Sequence, residues 1–479
     1  MSLYYEALPY APDAADWFGA IADQPWSMAL DGAGRGPFDV LVWRPERTLR
    51  TRGASTEVAG PEGIRHDPRD PFTVVDEIVR GLGSAYPLAR PFGANVALEL
   101  GLGWGSQCAV SPGGEDGARL PFYAGAVGYL AYDLGRRLER LPAVSQDLEG
   151  MPELALGIYR HAVCLDHGRR RAALVGLGQP SDLIRAEAAE MAARSARPGA
   201  AGLAATSPLT WHTSRAEYGE QFRQIKAHIR AGDCYQVNLS QRFSAGVAGN
   251  PWTGYRRLRG LSPAPFAAYL HLPDGCVLSS SPERFLACDG RGRIEARPIK
   301  GTRPRHRDPS ADRQLAEELA VSPKDRAENV MIVDLLRNDL ARSCRPGSVW
   351  VPRLCEVETH ANVHHLVSTV EGQLAPGRSA LMAVREAFPG GSITGAPKIR
   401  AMEIIERCEP VRRGVYCGAI GFIGVDGRLD LNIAIRTLVA GSGTLRGWAG
   451  GGIVADSAEE AEYRETLDKA SAMLKVFTP

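Results

Sequence analysis

Downstream of Thr213 the chain reads as a succession of strand-like runs, FAAYLHL, CVLSSS, RIEARPIKG, HHLVSTVEGQL, GAIGFIG and LDLNIAIRTLVA. Tight glycine turns such as Asp426-Gly427 join consecutive runs. A two-residue Asp-Gly connection brings its flanking strands together antiparallel, so a doubly wound parallel sheet is excluded. Helical stretches are interspersed. SRAEYGEQFRQIKAHIRAGD carries Ser214 as an N-cap, apolar positions at Tyr218, Phe222, Ile225 and Ile229, and Gly232 as a stop. DRAENVMIVDLLRNDLARSC is a second, long helix, and Ala458 to Phe477 a final amphipathic one. The expected class is α+β, with layered antiparallel β-sheets forming a β-sandwich core covered by helices.

Upstream, PWSMALDGAGRGPFDVLVWRP predicts two strands around a glycine-rich turn, and the text around Asp166-His167-Gly168 predicts another strand pair. The Ala/Arg-rich stretch after Gln179 begins helical and ends as a Pro/Gly/Ala linker. This divides the chain into an N-terminal region 1–180, a linker 181–212 and a C-terminal domain 213–479.

With 479 residues the chain can bury a large core. Lys+Arg 56 against Asp+Glu 55 leaves a charge of +1, so no global field draws the protein to nucleic acid or to an anionic membrane. Any anion site has to be local. Nine cysteines, Cys108 among them, are scattered singly with no C-x-x-C pair, which argues against a disulfide framework and a zinc site. The N-terminal text lacks a secretory pattern, and no apolar run approaches the ~20 residues that span a bilayer. A cytoplasmic protein is expected.

Lys300 stands out in Pro298-Ile299-Lys300-Gly301-Thr302, where a strand-like run ends at a Gly-Thr pair. Most lysines are solvated surface cations. This one has a flexible backbone and a hydroxyl beside it, and an amine whose pKa is depressed by desolvation or by neighbouring positive charge is a nucleophile. In the terminal helix Glu462, Glu465 and Lys469 recur at spacings of three and four, which places them on one face. Gly450, Gly451 and Gly452 precede that helix and let a ligand approach the backbone closely. Glu328 of the long helix and Glu465 are carboxylates from distant helices that could share a hard divalent ion such as magnesium, although from the local text alone a helix ion pair is the better account of Glu328. His364, His365, Lys398, Tyr416 and Arg436 supply further basic and hydrogen-bonding groups. Arg436, inside the apolar run IAIRT, is expected to face a carboxylate, either of the protein or of a ligand. GGSITGAPK lacks the G-x-x-x-x-G-K-[ST] pattern of a phosphate loop.

PIKGTRPR, KDRAENVMIVDLLRNDL, HHLVST, FPGGSITGAPKIRAMEIIE, GAIGF and GGGIVADSAEEAEYRETLDKA, in this order, resemble the chorismate-utilising enzymes. That family includes anthranilate synthase component I, aminodeoxychorismate synthase component I, and the isochorismate and salicylate synthases. PWSMAL, YAGAVGYLAYDLGRR and PELALGIY extend the resemblance over nearly the whole chain, and an anthranilate synthase component I-like fold is implied. Within the family, anthranilate synthases carry alanine where this chain has Lys300, and the aminodeoxychorismate synthases carry lysine. The resemblance therefore implies amination of chorismate at C4 through a covalent Lys300 intermediate, on the route to 4-aminobenzoate and folate.

Carried over by motif, Glu283 of Ser281-Pro282-Glu283 would be the acid/base partner of Lys300. Glu328 and Glu465 would hold Mg2+ against the ring carboxylate, with Glu462 ordering a coordinated water. Gly450, Gly451, Gly452 and Lys469 would cradle the ring carboxylate. Tyr416 and Arg436 would bind the enolpyruvyl carboxylate, and Thr302, His365 and Ser392 would line the ring. No amidotransferase text is visible, so ammonia would come from solution or from a separate glutamine amidotransferase subunit. Relatives hold tryptophan through a serine in a segment like Leu30-Asp31-Gly32; Gly32 has no hydroxyl, which argues against tryptophan binding here, although Pro265 and Phe266 resemble the pocket wall.

Overall fold

The computed structural model describes residues 3–85, 120–193, 201–360 and 363–477. Among them are two large sheets, one of thirteen strands and one of twelve, and every pairing between named strands is antiparallel. Both sheets take strands from either side of the 181–212 segment. In the first, Met28–Asp31 pairs with Phe266–Leu272; in the second, Gly125–Leu130 pairs with Ala419–Gly424. Cys108 lies outside the described residues, and the eight other cysteines are free and buried.

Alternation along the strands builds the layers. In Phe38–Val42, Val40 and Val42 join the core cluster shared with Leu49, Val127, Leu156 and Ile420 of the second sheet. Leu41 belongs to a second cluster, with Trp17 and Phe18 of the helix Ala14–Phe18, Trp252 and Tyr255 of the helix Pro251–Leu261, and Met473 of the terminal helix. Period-two patterning thus sends alternate side chains to the sandwich interior and to the helical cover. Among the described residues no helix is long and apolar enough to cross a membrane.

Three placements create a cleft at one end of the sandwich. The strand Thr444–Ile453 pairs with Thr437–Gly441 only as far as Gly447, while its other edge stays paired with Gln236–Ala248 through Ile453. The terminal helix Glu459–Leu474 packs against it. Across the cleft the long helix Pro323–Ala341 packs on the strands Ile299–Pro304 and Val363–Gln373. Its start follows from local chemistry: Ser322 caps the Asp325 N–H and Pro323 occupies the first turn, where no amide is required.

Candidate functional site

Lys300 sits on a strand whose register against Val363–Gln373 shifts between Ile299 and Thr302. Such an irregularity turns a side chain out of strict alternation. Gly301 adopts φ +78°, and a Cβ there would lie 2.8 Å from Leu319 and 2.9 Å from Asp325, so glycine is required on both counts. The Lys300 Nζ donates to the Ser392 carbonyl at 3.0 Å. Burial pushes its pKa below the ordinary lysine value, with the charges of Glu283 and Glu328 opposing that shift.

Glu283 is buried in the bend between Gly275–Ser281 and Arg284–Asp289. Burial raises its pKa, while Lys300 and a hydrogen bond from the Ser392 side chain pull the other way. A lysine pushed down and a carboxyl pushed up, both held by Ser392, are each shifted toward the neutral form, a free amine and a protonated acid.

His365 is buried, and its Nδ1 lies 2.9 Å from the Thr302 Oγ1 in the same strand pair. Burial first, then the positive charge of His360 and Arg436, brings its pKa down to about 4, so the ring is neutral near pH 7. Arg436 departs from expectation. Instead of lying inside a strand it occupies a left-handed turn, φ +51°, immediately before Thr437–Gly441. Residues 433–435 leave the ladder to bond elsewhere: the Ile433 N–H donates to the Glu283 carbonyl and the Ala434 N–H to that of Gly418. Nor does Arg436 form an ion pair with any carboxylate among the described residues; burial lowers its pKa and the charge of Glu283 partly restores it. It is a buried cation with no carboxylate ion-pair partner among the described residues.

On the opposite wall, Gly450, Gly451 and Gly452 face Ser240, Leu239 and Asn238 across the ladder. A Cβ on Gly451 would stand 3.3 Å from Glu462, 3.6 Å from Glu465 and 3.7 Å from Lys469, so the bare backbone opens onto all three. The Lys469 Nζ pairs with Glu465 at 2.7 Å and donates to the Gly450 carbonyl at 3.1 Å. Glu462 accepts from the Ser457 hydroxyl at 2.6 Å. Burial raises its pKa, and the charge of Glu465 adds to that. Burial is the largest influence on Glu465 and acts to raise its pKa, but Lys469, Lys324 and Lys300 together leave the group below the usual range. Glu328, raised chiefly by burial, faces these two from the long helix.

Sequence reasoning passed over Lys324. Its Nζ stands 4.0 Å from both Glu328 and Glu462, bridging the two helices. The signal was present as Lys324-x-x-x-Glu328, an i,i+4 pair. Among the described residues no three His, Cys, Asp or Glu side chains are grouped closely enough to hold a metal by themselves. Carboxylate oxygens are the donors a hard divalent ion takes, with ligand and water filling the rest of its shell.

Tyr416 is buried, its ring stacked on Trp448 at 5.9 Å and its hydroxyl accepting from Ser240 at 3.3 Å. Lys398 and His364 serve the scaffold. Lys398 pairs with the buried Asp339 at 2.7 Å and donates to the Ala387 carbonyl, whereas His364 lies between Thr359 and Asp312. A separate cavity of about 170 Å³ lies between the sheets, lined by Leu30, Gly32, Pro265, Phe266, Arg284 and Asn432 among others.

The family model described as chorismate binding enzyme matches residues 106–475. The chain belongs to the chorismate-binding enzymes. Among curated members of that family, it is 45% identical to "Aminodeoxychorismate synthase component 1" of Klebsiella aerogenes, over 98% of this chain and 97% of that protein. It is 46% identical to "Anthranilate synthase component 1" of Streptomyces coelicolor, over 74% of this chain and 73% of that one. Among solved chorismate-binding enzyme structures, anthranilate synthase component I from Streptococcus pneumoniae superposes with a TM-score of 0.75 at 29% identity, covering 91% of this chain and 92% of that one. The layered antiparallel α+β architecture read from the sequence is therefore the family fold.

Proposed function

We propose that this protein aminates chorismate at C4, giving 4-amino-4-deoxychorismate for 4-aminobenzoate and folate synthesis. The observation that carries the reading is Lys300, a cleft-lining amine held below the ordinary lysine range beside a carboxyl held above its own. Likeness over almost the full length to aminodeoxychorismate synthase component 1 supports it.

Chorismate is a dianion. Its ring carboxylate would rest against the Gly450–452 backbone and Lys469, and its enolpyruvyl carboxylate against Arg436 and Tyr416. Glu328, Glu462 and Glu465 would hold Mg2+, which when bound neutralises the ring carboxylate. The Lys300 amine attacks C2. The C1–C2 and C5–C6 double bonds shift, and the C4–O bond breaks with Glu283 donating the proton that lets water leave. Ammonia then attacks C4, the double bonds return, the C2–N bond to Lys300 breaks, and Glu283 recovers a proton. Covalent participation divides one hard substitution into two easier ones. Neutral His365 and Thr302 would line the ring without adding charge.

As a component 1 type chain, the protein is assigned ammonia from a separate glutamine amidotransferase. The cavity between the sheets is read as not taking tryptophan: a Cβ on Gly32 would stand 2.6 Å from the Gly36 Cα, so a serine there has no room in this turn.

Product identification decides the reading. Purified protein with chorismate, Mg2+ and ammonium should yield 4-aminobenzoate only when a 4-amino-4-deoxychorismate lyase is added. Anthranilate as product would overturn the proposal in favour of anthranilate synthesis.

A further inference from the structure

Arg413 is a fully buried arginine that neither the motif reading nor the proposed chemistry uses. Its side chain is 1% exposed and its guanidinium makes four hydrogen bonds. Nε and Nη2 donate to the two oxygens of Glu409 at 2.8 and 2.7 Å. Nη1 donates to the Ile393 carbonyl at 2.8 Å, and Nη2 also reaches the Asn238 carbonyl at 3.1 Å. The Tyr132 ring covers one face, its centroid 4.7 Å away. Glu409 also accepts from the Ser240 N–H at 2.8 Å.

The two carbonyls belong to different walls of the cleft. Ile393 follows Ser392, whose carbonyl receives Lys300 and whose side chain bonds Glu283. Asn238 and Ser240 sit opposite Gly452 and Gly450. A planar guanidinium with five fixed donors is suited to setting such a separation, whereas a lysine ammonium is a single flexible point. The Arg413 carbonyl also accepts from the Tyr416 N–H at 3.1 Å, a local turn that sets Tyr416 just after the clamp.

We infer that the Arg413–Glu409 pair is a positioning clamp, which fixes the distance between the turn that holds Lys300 and Glu283 and the strands behind the glycine cradle. The inference rests on the proposed amination, because it assigns the clamp to the alignment of the Lys300 amine with C2 of a ring seated on the glycines. The ion pair itself could be exchanged for apolar side chains at little cost, but the Ile393 and Asn238 carbonyls and the Ser240 N–H would lose their partners, so stability has to be read beside kcat.

The test compares the full-length wild type, the double variant Glu409→Leu/Arg413→Met and the single variant Arg413→Lys, with ammonium as nitrogen source. The readouts are thermal midpoint, KM for chorismate and kcat. The clamp predicts a double variant that stays folded with KM changed by no more than about threefold and kcat down about ten- to a hundredfold, the scale of an ångström-sized misplacement. Arg413→Lys should fall between, with kcat lowered and KM held. A folded double variant with wild-type kcat overturns the clamp, as does a loss of kcat that only follows the unfolded fraction. If the double variant does not fold, Arg413→Lys decides: wild-type kcat overturns the clamp, and reduced kcat at constant KM supports it. A wild type that forms no 4-amino-4-deoxychorismate overturns the amination reading and the clamp together; an active wild type with indifferent variants overturns the clamp alone.

Discussion

Lys300 owes its character to two opposed influences, and each can be removed separately. Burial lowers its pKa, and the carboxylates of Glu283 and Glu328 work against burial. Glu283→Gln or Glu328→Gln should therefore lower it further. Labelling of Lys300 by an amine-directed reagent, followed by mass spectrometry across pH, should show a midpoint below the ordinary lysine value in the wild type and lower still in either variant. An unchanged or higher midpoint would mean that the carboxylates do not act on the amine. Glu283→Gln should also reduce kcat by about 10²–10⁴-fold, the usual contribution of a placed acid or base. Lys300→Ala should abolish product formation while leaving binding of chorismate measurable by titration calorimetry.

The strand Thr444–Ile453 presents a contrast between adjacent glycines. A Cβ on Gly450 would meet the Ser240 hydroxyl at 2.4 Å and the Leu239 carbonyl at 2.5 Å, whereas one on Gly451 would point into the cleft. Gly450→Ala should cost about 1–3 kcal/mol of stability. Gly451→Ala should leave the melting temperature in place and raise KM. Melting curves and steady-state kinetics on the pair check this, and equal losses of stability would refute the geometry. This element was legible in advance because three successive glycines before a carboxylate-bearing helix are conspicuous text. Other parts were not. IAIRT has the composition of a strand, yet the Ile433 and Ala434 amides bond outside the ladder and Arg436 turns left-handed, a tertiary outcome that leaves no mark on a short apolar run. The register shift beneath Lys300 was equally hidden, since it depends on which residues of Val363–Gln373 stand opposite. Lys398 and His364 looked like site groups because basic residues near glycine resemble one another until their carboxylate partners are located.

For the whole molecule, acid stability is governed in part by buried imidazoles. Burial brings both His161 and His365 to about pKa 4, against roughly 6.5 in an unfolded chain. Below pH 6.5 the unfolded chain binds more protons, so stability declines as pH falls from about 6.5 to 4 and then levels off, by at most about 3 kcal/mol per residue. The melting temperature should drop over that window, and His161→Phe should make the drop shallower; an unaltered slope would remove His161 from the account. Excess tryptophan should leave the melting temperature unmoved, because a ligand of the native state would raise it. The layered class itself was readable from glycine turns and alternation, but no local pattern announces which distant strands become neighbours. Leu130 lies beside Ala419, and Ala267 beside Asp31. During synthesis, the early strands therefore leave the ribosome with exposed edges, that of Met28–Asp31 bare until Phe266–Leu272 is made and that of Gly125–Leu130 until Ala419–Gly424 is. Pairing between such distant segments is slow and leaves open edges prone to aggregation. A prematurely terminated message yields no working half-enzyme, only an adhesive fragment for the cell's quality control to remove.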